Sequence, residues 1–202
     1  MNNEATFSST PAALLFAFNF SMQQYDRPMM NRMAGGPAAG AGGLSGLDGA
    51  AQAGLVRARI ARLDALHQAA LVARYAPPTL PCECTHPCCS GQKPNFEWQA
   101  AMRLLADEAE RAPLSGCAAK RPLTLGLLSR AVGRDKQGMQ QLAKNAGVSH
   151  NTATNHMSRI QQWYRGERLG KAGAEPKPGL EQVAMDRAEA ALCESGLVHT
   201  DR

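Results

Sequence analysis

The chain has 202 residues, a formal net charge of +5 and only 5% aromatic residues. That length suffices for one domain or two small ones with a buried core. Ala and Gly are abundant while rings are scarce, so packing must rely on close helix approach, and an all-α fold is expected. No apolar run approaches the roughly 18 residues of a membrane span, and no charged start leads into an apolar stretch and cleavage site. No membrane contact and a cytoplasmic location are therefore expected. Four of the six cysteines, Cys82, Cys84, Cys88 and Cys89, crowd into one short stretch, with Cys117 and Cys193 apart. Such crowding argues for a metal rather than a disulfide framework.

In chain order, Ser8, Ser9 and Thr10 before Pro11 suit a helix cap with proline in the first turn. The helix is expected to reach about Gln24, with Leu14, Leu15, Phe18 and Met22 on one side. Between Ala34 and Gly46 six of thirteen residues are glycine, a flexible connection. Asp48 then caps a long second helix, Gly49 to Tyr75, which Pro77 and Pro78 stop. Its arginines are more readily a solvated face than a nucleic-acid contact, and His67 a core or boundary histidine.

The stretch from Pro81 to Gly91 carries four thiols and His86. Thiolates so close in sequence can fold around one tetrahedral zinc with short loops between ligands. Paired two-residue knuckles are absent, so the ligand set stays open among Cys82, Cys84, Cys88, Cys89 and Cys117, with His86 in reserve. One structural zinc ion is expected. Nothing nearby supplies a base for an open coordination position, and the zinc-deaminase pattern of His-x-Glu followed by Pro-Cys-x-x-Cys is missing. No enzymatic activity is expected.

Asn95 caps a third helix, Phe96 to about Arg111, carrying Trp98, Met102 and Leu105 on one face. A fourth, Leu123 to Val132, closes at Gly133. Next, Met139 to Arg165 has the spacing of a helix-turn-helix: Ala143 at the helix crossing, Gly147 in the left-handed turn, Val148 as apolar plug and Ser149 as cap. Ala153, Met157 and Ile160 form the inward stripe, and His156 stands where such units usually carry an apolar residue. The outward face would reach the major groove of double-stranded DNA. Its candidate contacts are Ser149, His150, Asn151, Thr152, Thr154, Asn155 and Arg159, with Lys144 from the preceding helix. From Arg134 to Lys171 seven Lys or Arg stand against Asp135 and Glu167, a balance of +5. That is the electrostatic footprint of phosphate binding. Trp163 and Tyr164 are expected to anchor the unit. Gly166 to Gly179 is expected to be a linker before a last helix, Leu180 to about Ser195.

The organisation expected is residues 1–76 as N-terminal helices, 77–121 as the zinc region with a helix, 122–170 as the helix-turn-helix region and 171–202 as linker and final helix. Several stretches together resemble the phage late-gene antitermination Q protein family and its bacterial AlpA-like regulators. They are Leu14 to Tyr25, the Gly-rich connection into Gly46 to Gly54, the Cys82 to Gly91 cluster leading to Trp98, and the helix-turn-helix. The resemblance implies a non-enzymatic factor that binds DNA near a promoter and engages RNA polymerase paused with its primary sigma factor. It then lets polymerase pass terminators by modifying the RNA exit path. Nascent RNA and a second copy of the chain are further candidate partners. The competing readings are a simple sequence-specific activator or repressor and, from another class, a zinc-dependent nucleic-acid enzyme.

Overall fold

The computed structural model describes residues 6–20, 46–82, 84, 90–167 and 177–199. Among them are eight helices and one two-stranded sheet. The helices are α1 (Thr10–Asn19), α2 (Gly46–Ile60), α3 (Ala65–Tyr75), α4 (Phe96–Arg111), α5 (Arg121–Val132), α6 (Met139–Ala146), α7 (His150–Arg165) and α8 (Leu180–Glu194). The strands are β1 (Thr79–Pro81) and β2 (Gln92–Pro94). The chain is thus mostly helical, as composition implied. It divides into two compact units, one of residues 1–64 with 185–202 and one of residues 65–184.

In the first unit Ser9 caps α1 by accepting from the Ala12 amide, and Pro11 occupies the first turn. The buried side of α1 is Ala13, Leu14, Ala17 and Phe18, whereas Leu15 is about half exposed at 48%. Leu14 and Leu15 thus do not share the expected common side, because neighbours in a helix point about 100° apart. Met22 and Gln24 lie outside the described residues. Helix α2 packs against α1 through Ala53, Val56 and Ile60. Arg57 ties the two by donating to the Ala17 carbonyl at 3.0 Å while its guanidinium lies over the Phe18 ring. The Phe7 amide donates to the Leu197 carbonyl, so residues near both termini are joined by backbone.

The expected helix from Gly49 to Tyr75 is two helices. After Ile60 the amides of Arg62 and Leu63 bond three residues back, to Arg59 and Ile60, which tightens and ends α2. Asp64 then stands directly before α3, where an aspartate favours a new helix start. The division between the units falls at this break.

The second unit holds α3 to α7 and the start of α8. Helix α3 ends at Tyr75 before Pro77 and Pro78. The chain then forms an antiparallel hairpin, with Thr79 opposite Pro94 and Pro81 opposite Gln92. Composition gave no sign of these strands, since Gln, Lys and Pro are poor strand formers. Asn95 fastens the hairpin: its amide nitrogen donates to the Pro77 carbonyl, and its side-chain oxygen caps α4 by accepting from Glu97 and Trp98. The Trp98 indole in turn donates to the Ala73 carbonyl. Helices α4 and α5 pack together, with Met102, Leu105, Leu123, Leu127 and Leu128 buried.

The segment from Gly166 to Gly179 is not a plain linker. Its two described ends are clasped by a backbone bridge between Gly166 and Pro178, and the Glu167 amide donates to the Lys177 carbonyl. Residues 168–176 lie outside the described residues. Both glycines are required by proximity: a Cβ on Gly166 would come within 2.6 Å of the Gly179 nitrogen.

Candidate nucleic-acid interface

Helices α6 and α7 are joined by three residues, and each does what its chemistry predicts. Gly147 adopts the left-handed conformation at φ 60° and ψ 46°. Its amide donates to the Lys144 carbonyl and that of Val148 to the Ala143 carbonyl, closing the end of α6. Ser149 caps α7, its hydroxyl accepting from the Thr152 amide at 3.1 Å. Val148 is half-buried beneath the turn.

Several groups hold this pair against its supports. Helix α5 packs against both α6 and α7. Ala143, Ala153, Met157 and Ile160 are buried, as their spacing required. Gly126 of α5 allows the closest approach, since a Cβ there would lie 2.7 Å from a Leu142 methyl. Tyr164 is fully buried and donates to the Ala70 carbonyl at 3.3 Å, and burial pushes its phenol far above the usual range. It is the anchor; Trp163 is half-buried beside it.

His156 is buried with the apolar stripe at 6% exposure, and its Nδ1 has no hydrogen-bond partner among the described residues. Burial, with Arg159 adding to it, holds its pKa below the ordinary histidine value. The ring therefore occupies an apolar position as a neutral group.

The opposite side of α7 is exposed at His150, Asn151, Thr154, Asn155 and Arg159, and Lys144 is exposed on α6. These groups divide by occupation. Ser149 and Thr152 bond to each other through their hydroxyls at 2.8 Å and belong to the cap. Thr154 donates its hydroxyl to the His150 carbonyl. Arg159 donates to the Cys117 sulfur at 3.3 Å. The side chains of His150, Asn151, Asn155 and Lys144 make no hydrogen bond among the described residues.

The cationic segment is more structural than its charge count suggested. Arg134 donates to the carbonyls of Arg74 and Ala76, and Arg165 to that of Ala131. Arg74 donates to the Val132 carbonyl at 2.7 Å and pairs with Glu181 at 3.3 Å. Three guanidinium groups thus serve the carbonyl ends of α3 and α5, where cations are favoured by the helix dipole. A hydrogen bond to a carbonyl fixes a charge without neutralising it, so Arg134 and Arg165 still add to the field at the exposed surface. Lys120 has a role that no local pattern announces: it donates to the Ala146 and Gly147 carbonyls at the turn itself.

Of the candidate metal ligands, Cys82 and Cys84 begin the connection between β1 and β2, and the Cys82 amide donates to the Gly91 carbonyl, closing that connection at its base. His86, Cys88 and Cys89 lie outside the described residues. Cys117 follows the turn after α4 and accepts from Arg159. Among the described residues no three His, Cys, Asp or Glu side chains are grouped as a metal site. Nor, among those residues, is any helix long and apolar enough to cross a membrane. No protein-family model matches the chain, and no curated protein matches it closely enough to count as a relative.

Proposed function

We propose that α6 and α7 form a DNA-binding helix-turn-helix, with the exposed side of α7 in the major groove of duplex DNA. The observation that carries this is the division of α7 into a fully packed side and a polar side whose His150, Asn151 and Asn155 are unengaged. The capped three-residue turn leaves the polar side of the first two turns of α7 open to solvent. Lys144, Lys136, Arg134 and Arg165 supply the positive surroundings that phosphates require.

The wider reading is a non-enzymatic transcription antitermination factor that binds DNA near a promoter and loads onto paused RNA polymerase with its primary sigma factor. It lets polymerase pass terminators by modifying the RNA exit channel, where nascent RNA is within reach. This step rests on the family resemblance of the sequence. Exposed Leu15, Leu47 and Leu55 in the first unit are compatible with a protein partner.

One structural zinc ion belongs to the same reading, held by a set drawn from Cys82, Cys84, Cys88, Cys89 and Cys117, which would tie the thiol-rich connection to the turn after α4. A hairpin closed at its base suits that role, because it brings both arms of a thiol-rich loop together. The bound ion would fix the loop and do no chemistry on a substrate. Elemental analysis of the purified chain then gives one zinc per chain; a folded, metal-free preparation removes this part.

The deciding experiment is transcription in a purified system through a terminator far from the promoter. Antitermination predicts increased readthrough that requires the DNA element. DNA binding without increased readthrough leaves the simple activator or repressor.

A further inference from the structure

The exposed side of α7 is poor in the groups that read guanine and rich in those that read adenine. Guanine is read most often by arginine or lysine, bidentate to O6 and N7, whereas asparagine pairs with adenine through N6 and N7. The single arginine on that side before Arg165, Arg159, is drawn to the Cys117 sulfur. The hydroxyls of Ser149, Thr152 and Thr154 are taken up by the cap and by the helix's own backbone. What remain on its first two turns besides the His150 imidazole are two amides, Asn151 and Asn155, one helical turn apart, both exposed and both of the type that pairs with adenine.

We infer that Asn151 and Asn155 are the specificity-determining residues of this helix and that its target contains two A·T pairs close together; this rests on the DNA-binding reading above. The spacing follows from geometry. Four residues of helix advance about 6 Å along its axis. Successive base pairs are about 3.4 Å apart. Two amides so placed reach adenines no more than two base-pair steps from each other, on the same or opposite strands. Each amide uses its oxygen to accept from the adenine N6 amino group and its NH2 to donate to N7. Neither amide has to give up a protein hydrogen bond to do so, which keeps the cost of reading low.

The test uses the full chain and a pool of duplexes with a randomised centre. The wild type should enrich a site with two A·T pairs within two steps. In that site, 7-deazaadenine at one pair removes the N7 acceptor and should weaken wild-type binding about tenfold, in line with the usual worth of a bidentate base contact. It should leave Asn151→Ala unaffected, and the same change at the other pair should leave Asn155→Ala unaffected. Both positions are exposed and alanine favours helix, so the variants fold; their thermal melting confirms it. A G·C-dominated site, or 7-deazaadenine effects that persist in both variants, overturns the inference while DNA binding stands. Duplex binding with no enriched site overturns it as well. Absence of binding to any duplex overturns the DNA-binding reading itself, and the inference with it.

Discussion

The Lys120 ammonium lies at the turn between α6 and α7, donating to the Gly147 carbonyl at 3.1 Å and to that of Ala146 at 2.9 Å. A residue just before α5 therefore closes the carbonyl end of α6, where the helix dipole favours a cation. Lys120→Met should cost about 1 kcal/mol in denaturant unfolding, the sum expected of a charge at a helix end and its hydrogen bonds. The loss should shrink in high salt. A salt-independent loss would assign Lys120 to packing instead. Gly147→Ala should cost a further 1–2 kcal/mol or so, because φ 60° is strained for any residue with a Cβ.

His156 makes stability depend on pH. Its folded-state pKa lies below the ordinary 6.5, so below that pH the unfolded chain takes up a proton that the folded one resists. This contribution is present in full above pH 6.5 and is lost as pH falls through and below it. His156→Leu removes both the titration and a buried, unpartnered nitrogen, and should stabilise the chain by about 1 kcal/mol at neutral pH. The advantage of the variant, followed by thermal melting, should widen as the solution is acidified. A constant difference across the range would show that His156 does not titrate between the two states.

Tyr164 separates two contributions to anchoring. Tyr164→Phe loses one buried hydrogen bond to the Ala70 carbonyl and should cost about 1 kcal/mol. Tyr164→Ala also loses the packed ring and should cost about 3–5 kcal/mol. Chemical denaturation of the two variants gives the ratio. Equal losses would mean that the hydroxyl, rather than the ring, holds α7 in place.

The clasp that joins Gly166 to Pro178 depends on two glycines meeting backbone to backbone. Gly179→Ala places a methyl against the backbone of Arg165 and Gly166, and should lower stability by about 1–3 kcal/mol as other overpacked sites do. Gly196→Ala is the comparison: unlike Gly179 it sits at positive φ, at 69°, so alanine is strained there, but its Cβ would meet nothing within 4 Å. A loss at Gly179 no larger than at Gly196 would show that the clasp opens without cost.

What could be read from residues alone was what local chemistry decides. Ser9, Asn95, Gly133, Gly147 and Ser149 punctuate helices where their side chains or lack of one dictate, and the helices follow to within a few residues. The break at Asp64 escaped notice because α2 and α3 share a continuous Ala-rich pattern and only one aspartate marks the join. The hairpin escaped because its strands are short and held by Asn95 and the Cys82 amide, not by strand-forming side chains. In the candidate interface, the buried side of α7 was legible from its spacing. The uses of Arg134, Arg159, Arg165 and Lys120 were not, since each bonds a group far away in the chain, and a charge count treats them all as free.

Titration of the full chain with duplex DNA at several salt concentrations tests most directly whether the exposed side of α7 meets DNA. Binding is predicted at low salt, with the logarithm of affinity falling linearly against the logarithm of salt concentration. Lys144→Ala should make that slope shallower by about one phosphate contact, and Asn151→Ala should leave the slope unchanged while lowering preference among sequences. A chain that binds no duplex at any salt, alone or with polymerase, would contradict this account.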